Sequence, residues 1–89
     1  MKYSYLEVTY RKGRPLAAYY YLPRQDEDRS ARTERTDSGL IVDFAPDGRA
    51  IGIEITEPSR LTLAELNALL HRLGQAPVLR EDLAPLLAA

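Results

Sequence analysis

Residues Gly39 to Ile55, GLIVDFAPDGRAIGIEI, decide the fold. Two apolar runs of strand length flank Ala45-Pro46-Asp47-Gly48, the pattern of a β-hairpin. In the second run Ile51, Ile53 and Ile55 alternate against Ala50, Gly52, Glu54 and Thr56, so one face is greasy and the other is not. The first run, Leu40-Ile41-Val42-Asp43-Phe44, is apolar on both faces, as a strand covered on each side would be.

The loop fixes the register. A four-residue loop pairs Phe44 with Arg49, Val42 with Ile51 and Leu40 with Ile53, which puts the apolar side chains of both strands together. A two-residue Asp47-Gly48 loop slides the pairing by two and keeps the same faces together. The competing choice is a three-residue Pro46-Asp47-Gly48 loop, a type I turn with Gly48 left-handed in a bulge. That loop sets Asp43 opposite Ile51, although Ile41 still meets Ile53. A one-residue slip exchanges every side chain between faces, so the hydrophobic pattern favours an even loop.

Outward from the hairpin, KYSYLEVTY at 2–10 and LAAYYYL at 16–22 read as two strands joined across Arg11-Lys12-Gly13-Arg14-Pro15, and all six tyrosines lie in them. The alternation of the first breaks at Tyr5-Leu6, where a bulge or burial on both sides would explain it. Arg24 to Asp28 is a polar link whose tip is expected to move freely. RSARTERT at 29–36 has one apolar residue, Ala31, and as a strand belongs at a sheet edge where its charges discourage further pairing.

After Pro58 the period changes from two to about 3.6. Thr62 and Glu65 form a capping box, Leu61 and Leu66 a hydrophobic staple, and Gly74 a C-terminal cap. Leu63, Leu66, Leu69, Leu70 and Leu73 make one stripe. Burying such leucines is worth about 1.5–3 kcal/mol each, so the helix must lie on the apolar face of the sheet.

The expected architecture is therefore α+β. An antiparallel sheet of about five strands, with hairpins at 3–22 and 40–56 and an edge strand near 30–36, is packed by an amphipathic helix at 62–73 and a short leucine-rich tail. Residues 1–89 form a single domain, with 75–89 as a C-terminal extension. The tail offers Leu79, Leu83, Leu86 and Leu87, which pack back on the domain or on a second copy; they are the candidate interface.

Composition narrows the function. No cysteine is present, so there is no disulfide, thiol nucleophile or thiolate metal site. No apolar run approaches the roughly 20 residues that span a bilayer, and the opening MKYSYLEVTY lacks the apolar block of a signal peptide; a cytoplasmic location is expected. The net charge of −1 is uneven: residues 1–24 are basic and 37–59 acidic, which draws the first hairpin to the second.

From Ala17 to about Pro58, specific pieces stand out: Ala18-Tyr19-Tyr20, Ala31-Arg32-Thr33-Glu34, Leu40-Ile41-Val42-Asp43, Asp47-Gly48-Arg49 and Gly52-Ile53-Glu54-Ile55. In these the chain resembles the short bacterial proteins grouped as domain of unknown function 2283. The resemblance implies a small antiparallel β domain without established activity, and an antitoxin-like or accessory role beside a small toxin-like partner. The leucine-rich extension lies outside it.

Catalytic and metal chemistry find little support in the residues. His71, the one histidine, falls near a helix C-terminus, where the dipole favours a cation. Asp43, Asp47 and Glu54 supply too few oxygens for calcium, and Asp47 is explained by its turn. No enzyme, cofactor or metal is expected. The leading expectation is a non-enzymatic interaction module, a homodimer with a possible small protein partner. The alternative is a weak single-stranded nucleic-acid binder using Tyr3, Tyr5, Tyr19 and Tyr21 with Arg11, Lys12 and Arg14, though the net acidic charge disfavours nucleic acid. A small enzyme is a distant third.

Overall fold

The computed structural model describes residues 3–87. Five strands, β1 (Tyr5–Arg11), β2 (Arg14–Tyr21), β3 (Arg32–Arg35), β4 (Ile41–Phe44) and β5 (Ala50–Ile55), form one antiparallel sheet in the order β1-β2-β5-β4-β3. The expected five-stranded sheet is therefore present, with the charged strand at one edge and the two hairpins side by side.

The central hairpin combines two of the registers weighed above. At the tip the even loop is corrected: Gly48 N donates to Ala45 O (2.9 Å), Ala45 N donates to Arg49 O (2.8 Å), and Gly48 has φ +92. This is the three-residue turn, because Pro-Asp-Gly suits a type I turn closed by a left-handed residue. Phe44 then pairs with Ala50, but Val42 pairs with Ile53 and Asp43 with Gly52, the pairing a two-residue loop would have produced. A bulge places one additional residue, Ile51, in β5 and cancels the odd loop. Hydrophobic facing thus wins along the strands, and turn chemistry wins at the tip.

The first hairpin closes on Lys12-Gly13, both at positive φ (52 and 79), with Arg11 opposite Arg14. Its irregularity lies between Thr9 and Tyr10, where Leu16 is the extra residue, and not at Tyr5-Leu6. Tyr5 and Leu6 simply face opposite sides of the sheet.

One side of the sheet is core. Ala18, Tyr20, Leu22, Val42, Ile53 and Ile55 cluster there with Leu66, Leu69 and Leu70 of helix α1 (Leu63–Arg72). Thr62 caps α1, accepting from Glu65 N (3.1 Å) and donating its hydroxyl to Glu65 Oε1 (2.8 Å). At the other end Gly74 (φ +71) closes a Schellman motif, with Gln75 N on Leu70 O (2.8 Å) and Gly74 N on His71 O (3.1 Å). Leu63 and Leu73, at the ends of the stripe, are half-buried against the same cluster.

The tail folds back on its own domain. After a 3-10 turn (Arg80–Leu83) comes α2 (Ala84–Leu87), and Val78, Leu83 and Leu86 are buried in the core cluster. Asn67 of α1 holds the tail by both ends of its amide, accepting from Val78 N (2.8 Å) and donating to Val78 O (3.2 Å). Of the four leucines offered as an interface, Leu83 and Leu86 are thus intramolecular core, Leu79 is 58% exposed, and the side chain of Leu87 lies outside the described residues. No helix among the described residues is long and apolar enough to cross a membrane.

Candidate binding face of the sheet

Strand alternation and the paired registers assign the opposite, outer face to Tyr5 and Glu7 of β1, Tyr19 and Tyr21 of β2, Gly52 and Glu54 of β5, and Ile41 and Asp43 of β4. The leucines of α1 and Leu86 of α2 pack on the core side, so among the described residues no helix covers this face.

The aromatic side chains here are ordered by one another. Tyr5 stacks on its cross-strand partner Tyr21, with ring centroids 4.4 Å apart and 14° between planes. Tyr19 meets Tyr21 edge-on at 4.6 Å and 66°. The Arg24 guanidinium lies over the Tyr21 ring, 5.1 Å from its centroid, and donates to Ile51 O at 2.6 Å. The polar link is therefore tied down where it passes the sheet. Gln25 N donates to Asp28 Oδ2 (2.9 Å), and Asp28 accepts from Arg49 (2.8 Å), which also grips Asp47 (2.6 Å).

Tyr19 is the most constrained of the set. Its hydroxyl donates to Asp43 Oδ2 at 2.7 Å, and Ser30 Oγ donates to the other oxygen at 3.1 Å. Its ring lies across Gly52, so closely that a Cβ built there would fall on the phenol. Glycine in a strand interior often marks such a close approach. Burial, and then the Asp43 carboxylate, push the Tyr19 phenol well above its ordinary pKa, against a smaller opposing pull from Arg24. Tyr21 is raised as well, by desolvation first and by the charge of Glu7, which accepts from its hydroxyl at 3.3 Å.

Three of the four tyrosines named from the sequence thus meet on one surface. Tyr3 is 78% exposed, and no ring contact ties it to them. The basic turn is elsewhere: Arg11 pairs with Arg14 at the far end of the hairpin, six residues along β1 from Tyr5 and about 20 Å away at the rise of an extended strand. The cation beside the tyrosines is Arg24, which the sequence places in a link, and the neighbouring acids are Glu7, Asp43 and Glu54. His71 is exposed in the last turn of α1, on the core side of the sheet, whereas Asp43 and Glu54 belong to the outer face. The structure does not bring these three together, and among the described residues no group of three or more His, Asp or Glu side chains is placed to hold a metal.

Arg24, Ser30 and Gly52 are not among the site residues to which the sequence points. Only Gly52 carries a local signal, as a glycine between two isoleucines inside a strand. Arg24 and Ser30 reach the face through the path of the link, which no local pattern encodes.

Residues 17–59 match the family model described as Protein of unknown function (DUF2283), the family that the resemblance implied. Neither a curated protein nor a solved structure matches the chain. The matched segment contains Tyr19, Tyr21, Arg24, Ser30, Asp43 and Gly52; Tyr5, Glu7, α1 and the tail lie outside it.

Proposed function

We propose that the chain, whose central segment matches a family of unknown function, is a non-enzymatic module that binds a small protein through the outer face of its sheet. The observation that carries this is the Tyr5–Tyr21–Tyr19 ladder, stacked in place on a sheet face that neither helix covers. Ordered tyrosines are well suited to recognition, since each offers a large contact area at little conformational cost. Glu7, Asp43 and Glu54 beside the rings favour a partner with a cationic surface, whose arginines can stack on tyrosine and pair with carboxylate. A neutralising, antitoxin-like role toward a small toxin-like protein is the specific form that the family resemblance suggests. The same acids disfavour single-stranded nucleic acid, whose phosphates they would repel.

The test is affinity capture with the intact chain as bait, comparing the wild type with a Tyr5→Ala/Tyr21→Ala variant and with Leu79→Ser on the tail. A discrete partner held by the wild type and by Leu79→Ser, and lost from the double variant at unchanged circular dichroism, supports the outer face. Equal retention by all three baits contradicts it. Fluorescence titration with a short single-stranded oligonucleotide at two salt concentrations decides the nucleic-acid alternative, because phosphate contacts weaken steeply with salt.

A further inference from the structure

The sheet has two edges, and they are unlike. Strand β3 is four residues long, exposed along its length and charged at Arg32, Glu34 and Arg35, the features that blunt an edge against pairing. Strand β1 is seven residues long, and between Tyr5 and Tyr10 it carries a single charge, Glu7. Its Leu6 and Val8 are half-buried against the core. Among the described residues, nothing of the β3 kind protects this edge.

The backbone groups β1 leaves free can be worked out. Leu22 N donates to Ile51 O (3.1 Å), so the even residues of β2 bond toward β5 and its odd residues toward β1. Those odd residues, Tyr21, Tyr19 and Ala17, oppose Tyr5, Glu7 and Thr9. The N–H and C=O groups of Leu6, Val8 and Tyr10 therefore point away from the sheet.

The geometry points to a second copy of this chain as the occupant of that edge, paired antiparallel with Val8 opposite Val8 on a twofold axis. This register joins Leu6 to Tyr10 of the other copy, Glu7 to Thr9 and Tyr5 to Arg11. It engages the free groups of all three outward residues on each strand and sets no like charges opposite one another. Sliding by one step so that Glu7 faces Glu7 would oppose two carboxylates, which is destabilising. The side chains also fit. An open groove of about 360 Å³, lined by Tyr5, Leu6, Val8, Tyr20, Asp82 and Pro85, runs beside β1, largely on its core side. Tyr10, on that same side and 53% exposed, is the side chain that the register delivers next to Leu6 of the other copy. Knob and hole belong to one continuous patch along β1, completed by Tyr20, Asp82 and Pro85, so each copy offers both, as an isologous twofold interface requires. The result is a continuous ten-stranded sheet with the tyrosine ladders of both copies on one face. This pairing does not depend on the partner proposed for the outer face.

Sedimentation velocity from micromolar to millimolar concentration, with single-cysteine crosslinking, tests it. The wild type is expected to show a reversible monomer–dimer equilibrium. Val8→Pro removes an outward N–H, leaves the bonds to β2 intact and should weaken self-association about tenfold or more. The native chain has no cysteine, so single thiols report cleanly. Directly opposed hydrogen-bonded residues lie about 5.5 Å apart at Cα, within disulfide range, so Val8→Cys should oxidise to a covalent dimer. Thr9→Cys should not, because its counterpart lies beyond about 7 Å. A wild type monomeric throughout overturns the proposal, as does Thr9→Cys crosslinking as readily as Val8→Cys. The crosslinking pair decides the matter even if Val8→Pro fails to fold.

Discussion

The ring of Tyr19 occupies the space a side chain at Gly52 would need, and its hydroxyl ends on Asp43 in the next strand (2.7 Å). One phenol thereby spans β2, β5 and β4, and the absence of a Cβ at position 52 lets it lie flat.

Gly52→Ala should therefore act through Tyr19. The methyl displaces the ring, breaks its bond to Asp43 and costs about 1–3 kcal/mol, the usual range for an overpacked site. In a Tyr19→Ala background the same substitution should cost far less. Urea denaturation of both singles and the double gives the coupling.

The ionisation of Tyr19 should be late. The folded state holds its proton more tightly than the unfolded chain, where a tyrosine titrates near pH 10. Its contribution to stability is accordingly full below about pH 10 and is lost as pH rises through the higher folded value. An ultraviolet titration should show a late tyrosinate fraction, and Tyr19→Phe should diminish it.

Acid sensitivity should reside where the link meets the β4–β5 turn. Hydrogen bonds from Arg49 hold the carboxyls of Asp28 and Asp47 below the usual carboxylate range. Their contribution is present above the unfolded values, near pH 4, and is lost as pH falls through the lowered folded ones. Replacing Arg49 by Met should flatten the fall of Tm on the acid side, with the neutral-pH circular dichroism spectrum unchanged.

The tail should behave as core. Leu83→Ala and Leu66→Ala should each cost about 2–5 kcal/mol, as buried leucines do. Leu79→Ala should stay within about 0.5 kcal/mol. Asn67→Ala removes both bonds to Val78 and should cost about 1–3 kcal/mol, since it strips Val78 N of its partner. Denaturant midpoints of the four variants check the order.

Periodicity made the sheet and helix legible in advance. The leucines at 66, 69 and 70, the isoleucines at 53 and 55, and the Thr62–Glu65 cap are local patterns, and each sits where its spacing implies. The hairpin register was only half legible, because Pro-Asp-Gly and the apolar alternation ask for different pairings and a bulge at Ile51 satisfies both. The candidate face was legible as tyrosines but not as a site. Its cation, Arg24, and its anchor, Asp43, lie 19 residues apart in sequence and meet it only through the path of the link and the strand order. Asn67, polar in an otherwise leucine-rich helix, gave no sign that it would clamp the tail.

The outer face of the sheet, as the proposed working surface, is open to direct test. Its sharpest test is the nuclear magnetic resonance spectrum of a chain carrying ¹³C-labelled tyrosine and leucine, recorded while the captured partner is added. Ring signals of Tyr5, Tyr19 and Tyr21 should shift and saturate together, with buried Tyr20 and exposed Leu79 unmoved. Saturating shifts at Leu79, with those three rings unperturbed, would place the contact on the tail and contradict the account.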